Sequence, residues 1–431
     1  MSEPLAQSAI RKVRMFLVPY VFLLYVINFL DRVNVGFAAL KMNRDLGMNA
    51  QQFGFAAGIF FFGYLIFQIP SNLILHKIGA RVWISIILFV WGLVASLTGL
   101  AQTAQHLYVA RFVLGLVEAG FFPGVILYLT YWFPQRELAK AVALFMTALA
   151  FSSIVGSPIS GIILDHVYWG GLASWRWLFI LEGLPALIFG IVTFFVLPSL
   201  PKDAKFLTPE ERDWLANEIA LEQQEKSAQK KMSVMQAIFN GRVWLLAFIY
   251  FFGLIMGLYA ISFWLPTIIK GLSKGYSAQT VGFLAMIPFI FAAIAMVLVG
   301  MSSDKRAEWR YHTQIPLLIS VVAIFLMLFI RSPFASIVVL TLMTAGAYGA
   351  FGPFWALPNK FLSGTAAAAG IAVINSIGNL GGFFAPYIIG YIKFHTGNVY
   401  YGLGAVGALI LVSALLLSFL PKEATTGARE F

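Results

Sequence analysis

The chain reads as twelve successive apolar runs of about 20 to 30 residues, the length an α-helix needs to cross the hydrocarbon core of a bilayer. In the first half they cover roughly 16–37, 51–75, 82–101, 107–132, 140–164 and 176–197. In the second half they cover roughly 242–266, 279–300, 313–331, 335–357, 364–392 and 400–420. The runs are continuous and lack the alternation of a membrane β-barrel strand. With no water in the bilayer core to satisfy backbone groups, helices are the spanning element that remains. The expected fold class is an all-α membrane protein of twelve transmembrane helices.

Composition excludes the competing classes. Hydrophobic residues make up 60% of the chain and charged ones 11%, against about 25% charged in an ordinary soluble domain. A soluble enzyme and a disordered protein are therefore ruled out. The absence of cysteine rules out a disulfide scaffold or a cysteine-ligated metal. The net charge of +11 fits either nucleic-acid binding or membrane topology, and the placement of the charges decides. With both termini in the cytoplasm, 20 of the 29 Lys and Arg residues fall on the cytoplasmic side, including Arg11, Lys12, Arg14, Lys77, Arg81, Arg136 and Lys140. Outer loops receive seven: Lys41, Arg44, Arg176, Lys270, Lys274, Arg331 and Lys393. Arg32 and Arg111 fall inside spans. That split follows the positive-inside rule, so the basic excess is topological and nucleic acid drops out. The first run, carrying Asp31 and Arg32 at its far end, is too long for a cleaved signal peptide.

One long polar stretch, about 198–241, separates the sixth and seventh spans. Within it Thr208-Pro209-Glu210-Glu211 reads as a capping box with proline at the first helical position. The domain organisation expected is a six-helix bundle over 1–197, a cytoplasmic linker with an amphipathic helix over 198–241, and a second six-helix bundle over 242–431. The halves echo one another. Asn72 to Arg81 follows the second span and Gly300 to Arg306 the eighth; Gly156-Ser157-Pro158-Ile159-Ser160-Gly161 in the fifth answers Gly381-Gly382, Pro386 and Gly390 in the eleventh. Small residues and proline let helices bend and approach closely, and paired bundles of this kind place substrate near the bilayer midplane.

These features resemble the major facilitator superfamily, and within it the anion:cation symporters. The most specific residues are Asp31-Arg32-Val33-Asn34, Pro70-Ser71-Asn72, the run Arg111-Phe-Val-Leu-Gly115-Leu-Val-Glu118-Ala-Gly120-Phe-Phe-Pro123-Gly124, Tyr128 to Pro134, and Trp175-Arg176-Trp177. The superfamily's loop after the second helix usually has aspartate where His76 stands and arginine where Ala80 stands, and the chain departs from it there. The resemblance implies a proton-coupled carrier of organic anions, monomeric, in a bacterial inner membrane. Its cargoes would be sugar acids, tartrate-like hydroxy acids or aromatic carboxylates.

Charges within spans narrow the site, because each costs at least about 2.5–3.5 kcal/mol at mid-bilayer on insertion scales. At about 1.5 Å per residue, Asp31 lies about 22 Å along the first span from its cytoplasmic start. On the same rise Arg111 lies about 6 Å and Glu118 about 16 Å below the outer surface. Arg111 and Glu118, seven apart, share one face of the fourth span, whereas Asp31 and Arg32 diverge by about 100° and serve different partners. The structural alternative is buried ion pairs that set helix packing. Such pairs are often replaceable by apolar groups without loss of stability, so a functional role is the better reason for keeping four charges in lipid. Desolvation favours a protonated carboxyl and a nearby arginine favours an ionised one, so anion binding at the arginines would switch the carboxyls. On this reading Asp31 and Glu118 carry protons, Arg32 pairs with the substrate carboxylate, and Arg111 trades partners. The resemblance supports the proton roles and the anion role of Arg32.

Asn28 and Tyr25 extend the polar stripe of the first span; Tyr64 and Gln68 on the second and Asn375 and Asn379 on the eleventh could complete the pocket, with Asn375 matching a substrate-contacting position of the family. Tyr259, Trp264 and Trp355 are further candidates, with core packing as the alternative. Glu182 is expected to balance Arg176 or cap a helix. Three other strings carry no function. Gly402-Leu-Gly404-Ala-Val-Gly407 lies in an apolar helix without a preceding strand, Ser227-Ala-Gln-Lys230 has no companion motif, and the five histidines lack metal-ligand spacing. No cofactor, metal or catalytic group is expected, and the reading is a transporter rather than a membrane-embedded enzyme.

Overall fold

The computed structural model describes residues 3–228, 239–330, 332–358 and 364–420. Arg331, Lys230, Lys231, Lys360, Lys422 and Arg429 of the charge tally, and the side chains of Lys226 and His76, lie outside what is described. No strand occurs among the described residues. Among the described residues, eleven helices are long and apolar enough to cross a membrane. They are spans 1 to 8, Pro4–Asp45, Ala50–Leu75, Ala80–Thr98, Ala104–Thr130, Gln135–His166, Ser174–Val196, Gly241–Leu272 and Ala278–Arg306, and spans 10 to 12, Pro333–Ala356, Gly370–Thr396 and Val399–Phe419. Span 9, Arg310–Leu326, is a shorter apolar helix of 17 residues. Every apolar run of the sequence is thus a helix. Span 1 starts well before residue 16, so Arg11, Lys12 and Arg14 are helical and extend it beyond the apolar stretch.

Short polar side chains start several of the helices. Asn49 accepts from the Gln52 N–H at 2.9 Å while Gln52 Oε1 accepts from the Asn49 N–H at 3.0 Å, a reciprocal cap that satisfies two otherwise orphaned donors. Thr103 and Ser277 cap spans 4 and 8 in the same position. Span 4 breaks at Ala119–Gly120, one residue after Glu118. Span 7 contains a π-helical turn at Tyr250–Ile255.

The first six spans meet the last six through three pairings: span 1 on span 7, span 2 on span 11, and span 5 on span 8. Glycine makes all three crossings close: between spans 1 and 7, a Cβ on Gly36 would lie 2.8 Å from the Phe263 carbonyl oxygen. Between spans 2 and 11, a Cβ on Gly54 would lie 2.4 Å from the Pro386 carbonyl oxygen, and one on Gly390 would lie 2.4 Å from that of Ala50. Between spans 5 and 8, a Cβ on Gly161 would lie 2.5 Å from the Ala278 oxygen and one on Gly282 2.4 Å from the Ser157 oxygen. The small-residue and proline motifs of the fifth and eleventh spans therefore sit where the halves touch.

A helix at Pro209–Ala228 follows span 6. It buries Trp214, Leu215 and Ile219 and docks on the start of span 1. Glu211 accepts from Ser8 Oγ at 2.7 Å, Lys12 Nζ at 2.9 Å and the Thr208 N–H at 2.9 Å. Burial works against the charge on Glu211, but these donors, Lys12 foremost, hold its carboxyl below the usual carboxylate range. Glu222 accepts from the Gln135 N–H at 3.0 Å at the start of span 5, so the linker helix is fastened to the first six spans. The end of the molecule carrying this helix is termed the linker face, and the opposite end the far face.

At the far face Asp165 Oδ2 accepts from the Gln279 N–H at 2.7 Å, and His166 Nε2 lies 2.7 Å from Gln279 Oε1. Lys41 lies 3.6 Å from Asp165 Oδ1. Spans 5 and 8 are thereby joined by polar contacts beside their glycine crossing.

Candidate functional site

Two arginines and three carboxyl groups, Arg32, Arg111, Asp31, Glu118 and Glu182, are all buried in the first six spans, Arg111 and Glu118 at 0% exposure. Arg32 and Glu118 form the centre. Arg32 Nη2 is 2.9 Å and Nε 3.3 Å from Glu118 Oε2. Asn28, one turn before Arg32 on span 1, donates from Nδ2 to the same oxygen at 2.9 Å and accepts weakly from Arg32 Nη2 at 3.4 Å. The four-residue spacing places both side chains on one helix face. The third edge of the guanidinium reaches across to span 7, where Arg32 Nη1 donates to Tyr259 Oη at 3.2 Å.

Aromatic rings floor the cluster. The Arg32 guanidinium lies 5.0 Å from the centroid of Phe60 and 5.2 Å from that of Tyr64, and Arg111 lies 5.2 Å from Phe60. Ring faces attract cations without competing for their N–H donors, so both arginines are steadied while their hydrogen-bonding edges stay usable. Arg111 uses little of that capacity. Its Nη2 donates to the Arg32 carbonyl at 3.2 Å, while Nε and Nη1, like Glu118 Oε1, have no protein partner. Buried guanidinium donors are strong and directional partners for carboxylates, so Arg111 has donors to spare for an anion, whereas the Arg32 donors are taken by Glu118, Asn28 and Tyr259.

Asp31 faces elsewhere, as its 100° offset requires. It accepts from Trp91 Nε1 at 3.0 Å and Asn34 Nδ2 at 3.5 Å. Glu182 does not balance Arg176, contrary to expectation, because Arg176 Nη1 is held by the carbonyls of Gly99 at 2.8 Å and Ala101 at 2.7 Å. Nor does Glu182 cap a helix, since it lies within Ser174–Val196 and accepts from Ser160 Oγ at 2.6 Å.

The remaining candidates divide. Gln68 Oε1 accepts from Ser376 Oγ at 3.3 Å and so ties span 2 to span 11. Asn375, next to Ser376, is half-buried and Asn379 buried, and neither is in the Arg32–Glu118 network. Tyr25 stacks on Phe145. Trp355 packs against Tyr250 and Phe354 rather than against either arginine. Trp264 donates to the Pro386 carbonyl at 3.3 Å and lies beneath Lys393, away from the cluster. Sequence reasoning assigned no role to Phe60, Trp91 or Asn34. An indole N–H in an otherwise apolar third span was the available signal for Trp91. Among the described residues no group of His, Asp or Glu is placed to hold a metal ion.

The Major Facilitator Superfamily model matches residues 21–386, and the chain belongs to that family. It is 46% identical over 422 residues, covering 98% of this chain and 93% of the other, to an Agrobacterium vitis protein named "Putative tartrate transporter". It is 36% identical to a "Quinolone resistance transporter" of Acinetobacter baumannii, covering 96% of this chain and 95% of the other. The fold matches the crystal structure of a bacterial homolog of the human lysosomal transporter Spinster with TM-score 0.77 and 14% identity, over 96% of this chain and 99% of that one. The protein is a multi-pass membrane transporter, not an enzyme, with eleven spanning helices and one shorter apolar helix among the described residues.

Proposed function

We propose that the protein is a proton-coupled symporter of a small organic anion, a hydroxy-dicarboxylate of the tartrate type, working by alternating access in a bacterial inner membrane. The observation that carries the reading is the Arg32–Glu118 pair with Arg111 beside it, a buried carboxylate on the guanidinium an anion would take. A substrate carboxylate arriving at Arg32 competes with Glu118. Displaced from its cation in a desolvated site, Glu118 is stable only as the neutral acid, so anion binding and proton binding accompany one another. Asp31 makes no ion pair with Arg111 but lies within its electrostatic reach, so an anion taken by Arg111 weakens the hold of that cation on Asp31. Tyr259 brings the second half of the chain to the same guanidinium, so occupancy is felt on both sides of the crossing between spans 1 and 7.

The wider architecture follows. Residues 1–197 and 242–431 act as two bundles rocking about the pairings of spans 1 and 7, 2 and 11, and 5 and 8, with 198–241 as the cytoplasmic linker. Both termini are cytoplasmic, in keeping with the 20 basic residues on that side, and the monomer is the working unit. On this reading Asn28 and Tyr64 meet the substrate at the guanidinium of Arg32, and Gln68, Asn375 and Trp355 serve the substrate path away from the arginines. The kinship to a tartrate transporter favours the cargo, and the quinolone-named relative supplies the competing carboxylate.

Purified protein in proteoliposomes tests the reading. Labelled L-tartrate should accumulate above equilibrium when the outside is acid, and collapse of the gradient should abolish that accumulation. Exchange that ignores the gradient would make the protein an anion exchanger. Uptake of a quinolone in place of tartrate would overturn the cargo but leave the coupling.

A further inference from the structure

Glu182 is the buried charge that the scheme above leaves unused. It lies at 4% exposure on span 6, where Ser160 Oγ donates to Oε1 at 2.6 Å and Oε2 has no protein partner. The elements packed against span 6 bring no cation to it. Span 3 has Arg81 as its sole charged residue, in its first turn, and along the Ala148–His166 segment of span 5 the ionisable groups, Asp165 and His166, are at the far end. Span 1 turns Arg32 to Glu118 and Lys41 to Asp165, and it brings Asp31, on which the charge of Glu182 acts and which accepts from Asn34 Nδ2 at 3.5 Å, with the Asn34 amide also in reach of Glu182.

Counting charges in the cluster then gives a definite result. Two guanidinium groups face three carboxyls. Arg32 holds Glu118, and Arg111 is the cation whose charge acts on Asp31. Glu182 is left over, and a buried carboxylate without a cation is far less stable than the neutral acid.

We propose that Glu182 is a third protonatable position of the transport cycle, a positioning residue that holds a proton of its own and controls when Asp31 releases its proton. While Glu182 is neutral, Asp31 can ionise against Arg111. When Glu182 loses its proton in turn, its charge holds the proton on Asp31, because two carboxyls sharing a site do not readily ionise together. Asn34 donates to Asp31 and Ser160 to Glu182, and these contacts hold the two carboxyls in place.

The inference rests on the symport reading, and two measurements on the full-length protein in liposomes separate their failures. The first needs no substrate. Infrared difference spectra of wild type against Glu182→Gln at neutral pH should show loss of one protonated-carboxyl carbonyl band, with Glu182→Asp retaining it. The second is the pH profile of gradient-driven L-tartrate uptake. Glu182→Gln should move its midpoint about one pH unit toward acid, Glu182→Asp should restore it, and gradient-free exchange should be unchanged. Asp31→Asn in the same vesicles should abolish the gradient-driven component. If Asp31→Asn leaves that component intact, the coupling scheme fails whatever Glu182 does. If Asp31→Asn abolishes it while Glu182→Gln loses no band or leaves the midpoint unmoved, Glu182 is a packing residue and the inference is wrong.

Discussion

Arg32 Nη2 and Glu118 Oε2 stand 2.9 Å apart with Asn28 donating to the same oxygen, and Glu118 Oε1 is left without a protein partner. The pair is thus strong on one edge and unfinished on the other, which is the geometry of a contact that is made and broken.

Replacing Glu118 by Gln keeps its shape and one acceptor oxygen while removing the proton site. Gradient-driven accumulation of L-tartrate should fall to the equilibrium level, and counterflow exchange should continue at a rate within a few-fold of wild type. Equal loss of both activities would falsify the coupling role and leave Glu118 a binding or structural residue.

Arg32→Met should cost stability as well as transport. Breaking a buried pair from one side costs about 3–5 kcal/mol, because the other charge stays buried alone. Adding Glu118→Gln to Arg32→Met should therefore recover most of the lost thermal stability in detergent while transport remains absent. A double variant no more stable than Arg32→Met would mean the penalty comes from packing over Phe60 and Tyr64 rather than from charge.

Arg111 should matter chiefly for binding. Hydrogen bonds to charged groups contribute about 1.5–3 kcal/mol each, so Arg111→Gln should raise the half-saturating L-tartrate concentration roughly 10- to 150-fold. The rise in melting temperature on adding L-tartrate should shrink accordingly. An unchanged ligand-induced shift would remove Arg111 from the anion site.

The linker helix offers a pH dependence of defined sign. Glu211 has its carboxyl held below the usual range in the folded protein by Lys12, Thr208 and Ser8. A group of that kind stabilises docking fully above its ordinary value of about 4.3. The contribution is lost as pH falls through the depressed value. Hydrogen exchange in 209–228 should therefore quicken below about pH 4, and Glu211→Gln should show the quicker exchange at pH 7 as well.

The absence of cysteine makes the far face directly testable. Cysteines placed at His166 and Gln279, whose side chains meet at 2.7 Å, should react with a short reducible cross-linker. Transport should stop on linking spans 5 and 8 and return on reduction. Undiminished transport by the linked protein would show that these spans do not part during the cycle.

Much of this was legible from residues alone, for reasons that also explain the omissions. Lipid imposes a length on each helix, so the spans could be read from run length. Spacing within one helix placed Arg111 and Glu118 on one face and turned Asp31 away from Arg32. Contacts between helices were harder, because an apolar run in lipid carries little periodicity to reveal which face turns inward. Tyr259 was therefore one aromatic among several candidates, although its hydroxyl meets Arg32, and Trp355 was ranked with it although it packs on Tyr250. Phe60 carried no polar atom to draw notice, yet both arginines lie over its ring. Glu182 and Arg176 share one helix, which suggested a pair, yet their side chains meet different neighbours.

The Asp165 contact with the first turn of span 8 has an electrostatic consequence. The N-terminus of a helix carries a partial positive charge, and Asp165 supplies a carboxylate to it through the Gln279 N–H. Closing the far face thus brings a fixed charge onto a helix dipole, and opening it returns both to the surrounding electrolyte. Exposed charge–dipole attraction weakens as salt rises, with a screening length of about 10 Å at 0.1 M. On the proposed alternating-access cycle, the balance between the two orientations should then respond to ionic strength at the far face even when neither substrate nor pH is varied.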